Sequence, residues 1–166
     1  MTHAKKIRVL FVCMGNICRS PTAEAVFRQA VADAGLAHRI ECDSAGTHDY
    51  HIGEPPDQRA QFAAGRRGYD MSNLRGRQVT RQDFDNFDHL VAMDRRNLAL
   101  LDSLCPPAHK NKLALFREAL ARQDAAVHEL QRPGGAALNQ PVEHRRPRPQ
   151  FREPLPRQTV DADDQD

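Results

Sequence analysis

The chain has 166 residues, enough for one domain with a real core, and 24 Lys and Arg against 22 Asp and Glu leave a net charge of +2. That balance lacks the basic excess of a nucleic-acid binder, and no apolar run approaches the roughly twenty residues of a membrane span. The charged start runs straight into Ile7-Arg-Val-Leu-Phe-Val12, too short for a signal-peptide core and followed by no small-residue cleavage site, so the reading is a cytoplasmic protein.

Residues 7–12, apolar apart from Arg8, read as a buried central strand. Met14 to Arg19 has no periodicity and contains a glycine, so it reads as a loop. A helix follows, with Ser20 as its cap and Pro21 at its first position. Ala25, Val26, Ala30 and Val31 carry its apolar face, and Gly35 stops it. Residues 39–43 are a short strand, 47–56 a loop and 58–67 a helix closed by Gly68. Residues 87–93 form another strand ending at Asp94, with a helix through Leu104 and a break at Pro106-Pro107. Leu113 to Phe116 reads as a fourth strand, while Lys112 to Leu130 as a whole also fits a helix. Strands alternating with helices predict an α/β fold with a parallel sheet.

Composition changes near Leu130. From Arg132 to Asp166 there are six prolines and six arginines, and no continuous apolar face. The expectation is an ordered domain over 5–130 and a disordered Pro/Arg-rich tail over 131–166.

Cys13, Cys18, Cys42 and Cys105 fall short of the density of a secreted disulfide scaffold. No CxxC pair or Cys/His cluster asks for a metal, and no cofactor is implied. Cys13 stands apart because of its neighbours, Cys13-Met-Gly-Asn-Ile-Cys-Arg19-Ser20, a C-x5-R loop between strand and helix. Such a turn gathers the backbone N–H groups of Met14, Gly15, Asn16, Ile17, Cys18 and Arg19 at the positive end of a helix dipole, which is an anion site. Gly15 is read as the residue supplying the left-handed or tight conformation. Arg19 offers a planar fork to two phosphate oxygens. The amides, the dipole and Arg19 together favour the thiolate of Cys13 over its thiol. A thiolate beneath a bound phosphate attacks phosphorus in line and leaves a cysteinyl-phosphate for water to hydrolyse. Ser20 is placed to hydrogen-bond the sulfur, and Asn16 to hold the loop through its side-chain amide. The Walker phosphate loop is excluded, because no Gly-Lys-Ser/Thr follows the glycine.

Val9 to Ala25, with this loop at its centre, resembles the signature of the low-molecular-weight protein tyrosine phosphatase family. The similarity continues through Asp43-Ser-Ala-Gly-Thr47, His51-x-Gly53, Asp57-x-Arg59-Ala60 and Arg75-Gly-Arg-Gln78. It includes Asp83-Phe84, Phe87-Asp88 and Ala92-Met-Asp94 with Asn97, and covers about residues 5–118. The resemblance implies four parallel strands flanked by helices, with the phosphate loop after strand 1. It implies Cys13 as nucleophile, Arg19 as phosphate clamp, Ser20 and Asn16 as loop organisers, and Cys18 as a redox partner able to form a protective disulfide with Cys13. Tyr50 falls where members carry an aromatic on the cleft wall, suited to a phenyl phosphate. The implied partner is a phosphotyrosine protein or a small aryl phosphate, with no nucleic acid and no membrane.

The resemblance breaks at the general acid. Members carry it in a late Asp-Pro pair, and this sequence contains no Asp-Pro. Asp124, His128 and Glu129 lie nearby, none in a motif that fixes its position, so the acid is unassigned. The tail reads as genuine divergence or as a frameshift after about Leu130. Two other readings stand beside the phosphatase. One is a degraded member that binds phosphate or phosphotyrosine without turnover. The other is a thioredoxin-type arsenate reductase, which needs a pair of resolving cysteines where this chain has Cys105 alone.

Overall fold

The computed structural model describes residues 5–120. Four strands form one parallel sheet in the order β2-β1-β3-β4: β1 (Ile7–Cys13), β2 (Ile40–Gly46), β3 (His89–Ala92) and β4 (Leu113–Leu115). β1 lies inside the sheet with both faces covered, which is why its apolar run is continuous rather than alternating. The expected four-stranded α/β fold is present, with α1 (Arg19–Asp33), α2 (Gln58–Gly65), α3 (Arg81–Asn86) and α4 (Arg95–Leu104) around it.

Alternate residues of β1 serve two cores. Leu10 and Val12 pack with Val79, Phe84, Leu90 and Leu101 on the side of α3 and α4. Val9 and Phe11 pack with Val91 and Phe27 on the side of α1, where the Phe11 and Phe27 rings meet edge to face at 5.5 Å. α2 and the segment after it rest on α1, with Ala64, Met71 and Leu74 packed against Ala25. Beside the second core, an apolar cleft of about 760 Å³ runs along α1 past Val26, Phe27, Met93 and Leu120 and ends near Cys18 and Arg19. Its walls lack the convergent donors that an anion needs.

Two elements lie outside the sequence expectations. α3 is one and a half turns with no apolar period to betray it. A reciprocal capping box between Thr80 and Asp83 fixes its start. Pro107 to Lys112 form a short 3-10 turn after the predicted break. The ambiguity after Lys112 resolves in sequence order: three residues pair with β3 as β4, and a helical stretch opens at Phe116. The expected disorder of 131–166, the boundary at 130 and the residues Asp124, His128 and Glu129 lie outside the described residues.

Because β2 pairs with one edge of β1 and β3 with the other, the chain leaves β1 at the point where strand order reverses. In open parallel sheets the crevice beyond the strands' carboxyl ends at that point is the usual ligand site, and Cys13 is the last residue of β1. Leu10 is fully buried in the middle of that strand. Leu10→Ala is expected to lower unfolding free energy by about 2–5 kcal/mol, measured by urea denaturation; a loss below about 1 kcal/mol would mean the core is centred elsewhere.

Candidate active site

Residues 13–19 wrap from β1 into α1, and their polar side chains close on one another. The Cys13 sulfur is buried, 3.0 Å from Ser20 Oγ, and accepts the Asn16 backbone N–H at 3.3 Å. Asn16 Nδ2 donates to Ser20 Oγ at 2.9 Å and to Ser44 Oγ at 2.8 Å, while Asn16 Oδ1 accepts the Arg77 backbone N–H at 2.9 Å. The Arg77 N–H can only donate, so it orients the amide with Oδ1 towards it and Nδ2 towards the two hydroxyls. Ser20 Oγ therefore receives a proton from Asn16 and has its own for the sulfur at 3.0 Å or, less closely, the Ala45 carbonyl at 3.4 Å.

Ser20 is thus not the helix cap that its position in sequence predicts. α1 starts at Arg19, two residues before Pro21, and Cys18 at its N-cap makes no side-chain capping bond. The Ser20 hydroxyl is turned inward to the sulfur and Asn16. Gly15 is also corrected. The left-handed residue of the loop is Asn16, at φ 55°, the one non-glycine with positive φ among the described residues. Asparagine tolerates that region better than most side chains. At Gly15, which has no positive φ, a Cβ would stand 3.0 Å from the His51 ring, a tight contact with a partly exposed side chain. Gly46, at the end of β2, is held to glycine more strictly: a Cβ would lie 2.7 Å from the Met14 carbonyl.

Neighbouring loops hold this one. Thr47 N–H donates to the Cys13 carbonyl at 2.8 Å and His48 N–H to the Met14 carbonyl at 3.0 Å. The His48 ring stacks on Tyr50, with centroids 5.1 Å apart, and Tyr50 is 65% exposed. That places an aromatic on a loop tied to the Cys13 loop. Behind the hydroxyls, Ser44 donates to Glu24 Oε2 at 2.6 Å, and Arg28 donates to Glu24 Oε1. Burial pushes the Glu24 carboxyl up, while Ser44 and Arg28 pull it down.

Arg19 stands half-exposed at the start of α1, and its Nη1 donates to Asp94 Oδ2 at 2.6 Å. The other Asp94 oxygen caps α4 by accepting the Asn97 N–H at 2.8 Å. Burial works against the Asp94 carboxylate, but the Asn97 N–H and Arg19 outweigh it and hold the group below its ordinary range. Sequence reasoning assigned no role to Asp94, Ser44, Glu24 or Arg77. Each occurs in or beside a quoted motif, but no local spacing ties it to Cys13.

All four cysteines are free thiols. Burial first, then the Asp57 and Cys13 charges, push the Cys18 thiol up against the pull of Arg59 and Arg19. Burial beside Glu24 pushes Cys42 to about 11, and burial raises Cys105. Among the described residues no group of His, Cys, Asp and Glu is arranged to hold a metal ion.

The sequence profile described as low molecular weight phosphotyrosine protein phosphatase matches residues 8–143. The chain belongs to that family. The match spans the loop just described and extends beyond the last described residue. The low molecular weight protein-tyrosine-phosphatase YfkJ of Bacillus subtilis is 49% identical over 98 residues, covering 59% of this chain and 63% of that one. The human low molecular weight phosphotyrosine protein phosphatase is 52% identical over 90 residues, covering 54% and 56%. The chain thus spans about three-fifths of the length of these curated relatives. Among solved structures, Bacillus subtilis YfkJ superposes with a TM-score of 0.66 at 42% identity, over 69% of this chain and 72% of that one. The Drosophila arginine phosphatase superposes with a TM-score of 0.65 at 35% identity, over 71% and 76%.

The depressed Asp94 carboxyl has a consequence for stability. A carboxyl held below its unfolded value contributes stability that is present above that value, about 3.9, and is lost as pH falls through the folded one. Asp94→Asn keeps a capping side chain but not the charge. The Tm gap between the protein and this variant is expected to be full near neutral pH and to close as pH falls below about 4. Thermal melts across that range check it, and a constant gap would remove the ion pair from the folded state's account.

Proposed function

We propose that this protein hydrolyses aryl phosphate monoesters, phosphotyrosine among them, with Cys13 as nucleophile. The observation that carries the reading is the Cys13 sulfur, buried at the carboxyl end of β1 with Ser20 Oγ at 3.0 Å and a loop N–H at 3.3 Å. The Asn16 N–H, and the Ser20 hydroxyl when its proton is turned to the sulfur, meet the charge that the sulfur carries as attacking group and as leaving group. The phosphate dianion seats on the N–H groups of residues 14–19 at the start of α1. Arg19 leaves Asp94 and takes two equatorial oxygens in the bidentate geometry that a guanidinium matches. Attack forms the S–P bond and breaks the P–O bond to the leaving alcohol. Water then breaks the S–P bond and returns the thiolate. No step asks for a metal or other cofactor, since Arg19 and the amides meet the charge. The Tyr50 ring, stacked on His48, forms a wall for a flat phenyl group.

Substrate identity and a cytoplasmic location are parts of this proposal. Among the described residues no helix is long and apolar enough to cross a membrane. The arsenate reductase reading is weaker, because Cys105 is the last cysteine in the sequence and it is packed in the core beside Leu101. The degraded-binder reading is settled by turnover. Cys13→Ser is expected to abolish hydrolysis of p-nitrophenyl phosphate while vanadate still binds. The absence of an Asp-Pro pair adds a second arm. Without a general acid, worth about 10²–10⁴-fold, rates should fall steeply as leaving-group pKa rises, leaving phosphotyrosine peptides far poorer than p-nitrophenyl phosphate. No turnover on any aryl phosphate or phosphoarginine peptide would leave a binding protein, and a flat leaving-group dependence would mean that an acid is present.

The proposal extends to Cys18 as the redox partner of Cys13. Cys18 ends the loop that begins at Cys13 and is only partly buried as a free thiol, which leaves it open to react with an oxidised Cys13. Peroxide inactivation should reverse fully with dithiothreitol, and only poorly in Cys18→Ser. Equal recovery in the two proteins would remove Cys18 from that role.

A further inference from the structure

We propose that Arg77 is a positioning residue for the phosphate loop, holding Asn16, and through it Ser20 and Cys13, from a distance of 61 residues in sequence. The proposal rests on the phosphatase reading for its kinetics but not for its binding measurement.

Asn16 has a backbone conformation that side chains rarely adopt, and it keeps that conformation while its amide makes three hydrogen bonds. Of the three partners the Ser20 hydroxyl is free to rotate, and the Ser44 hydroxyl, its proton committed to Glu24, accepts from Nδ2 and holds the nitrogen end. The third, the Arg77 N–H, is the donor that holds the oxygen end, and it comes from outside α1 and β2. The loop geometry therefore depends on where the Arg77 backbone stands. Residues 77–79 belong to none of the four strands, yet they run along the end of β2. Gly46 N–H donates to the Arg77 carbonyl and Val79 N–H to the Gly46 carbonyl, both at 2.8 Å. In an extended segment the N–H and C=O of one residue point the same way, so Arg77 gives its N–H to Asn16 and its C=O to Gly46 from one edge.

The Arg77 side chain secures that edge. Its Nε donates to Asp43 Oδ2 at 2.9 Å, its Nη1 to Asp83 Oδ2 at 3.1 Å and its Nη2 to Asp83 Oδ1 at 3.2 Å. Asp43 is on β2 and Asp83 on α3, so one guanidinium joins a strand, a helix and the segment between them. The pair with Asp83 is bidentate, a geometry that lysine does not reproduce. Asp83 is itself buried and committed to the Thr80 capping box, so it cannot follow a displaced arginine. Without the guanidinium, two carboxylates face each other across the gap and segment 76–79 loses its side-chain anchor. Asn16 Oδ1 then loses its fixed donor and Ser20 Oγ its orientation towards the sulfur. The step most exposed is hydrolysis of cysteinyl-phosphate, where that hydroxyl meets the departing thiolate.

A coupling experiment separates this role from plain stabilisation. Arg77→Met is expected to lower kcat for p-nitrophenyl phosphate about tenfold and to weaken vanadate binding by calorimetry by a similar factor, as contacting residues of one network do. KM should move less than kcat. Arg77→Lys should recover part of the loss. In an Asn16→Ala background, Arg77→Met should change kcat and vanadate affinity by less than about twofold, because the path is already cut. Equal losses in both backgrounds, or an unchanged kcat and vanadate affinity in Arg77→Met, would overturn the proposal. If Arg77→Met does not fold, Asp43→Asn removes one of the two anchors and is read by the same cycle and the same criteria. A wild-type protein that binds vanadate but turns nothing over would defeat the phosphatase reading and leave Arg77 testable on vanadate affinity alone.

Discussion

Asn16 has to be held in a left-handed turn at the end of β1, and most of the site follows from how that is done. An L side chain in that region is strained relative to the helical or extended regions, so the conformation persists only when the surroundings compensate. Here the compensation is complete: both amide protons and the carbonyl oxygen of Asn16 are bonded, and its backbone N–H reaches the Cys13 sulfur. Its partners come from α1, β2 and the segment before α3. The turn exists because the sheet, the first helix and that segment are assembled around it.

The same dependence explains the polar residues in an otherwise apolar interior. Ser20 and Ser44 are buried against Asn16, Glu24 against Ser44, and Asp83 and Asn97 in the first turns of α3 and α4. Buried hydroxyls and carboxylates are costly unless paired. Glu24 is paired twice and Asp83 serves both a cap and an arginine. These groups add little net stability, but they make one arrangement of the loop far better satisfied than its alternatives. Arg19 belongs to a different class. It is half-exposed and its partner Asp94 is accessible, so their ion pair adds little to stability and leaves the guanidinium within reach of solvent.

Sequence alone was enough for the strand–loop–helix unit, the parallel sheet and the identity of the loop residues. Those rest on short-range chemistry: an unbroken apolar run for a strand covered on both faces, a glycine between strand and helix, and a cysteine and an arginine at the two ends of one turn. Ser20 had two readings from its local sequence, and the structure keeps one: it is not the helix cap, and its hydroxyl lies against the sulfur and Asn16. Gly15 looks like the left-handed residue, yet Asn16 takes the turn. α3 is too short to show a period and is defined by its capping box alone.

Residues 7–35 thus contained the information for the strand, the loop and the helix, and for the meeting of Cys13, Asn16 and Ser20, because those features are encoded within one turn of chain. Only the tertiary structure decided what keeps that turn in shape: Ser44 at 28 residues from Asn16, Arg77 at 61 and, for Arg19, Asp94 at 75. A hydrogen bond at such separation leaves no periodicity and no local composition in the sequence. It appears only when the parallel crossovers bring the carboxyl ends of β1, β2 and β3 to one edge of the sheet.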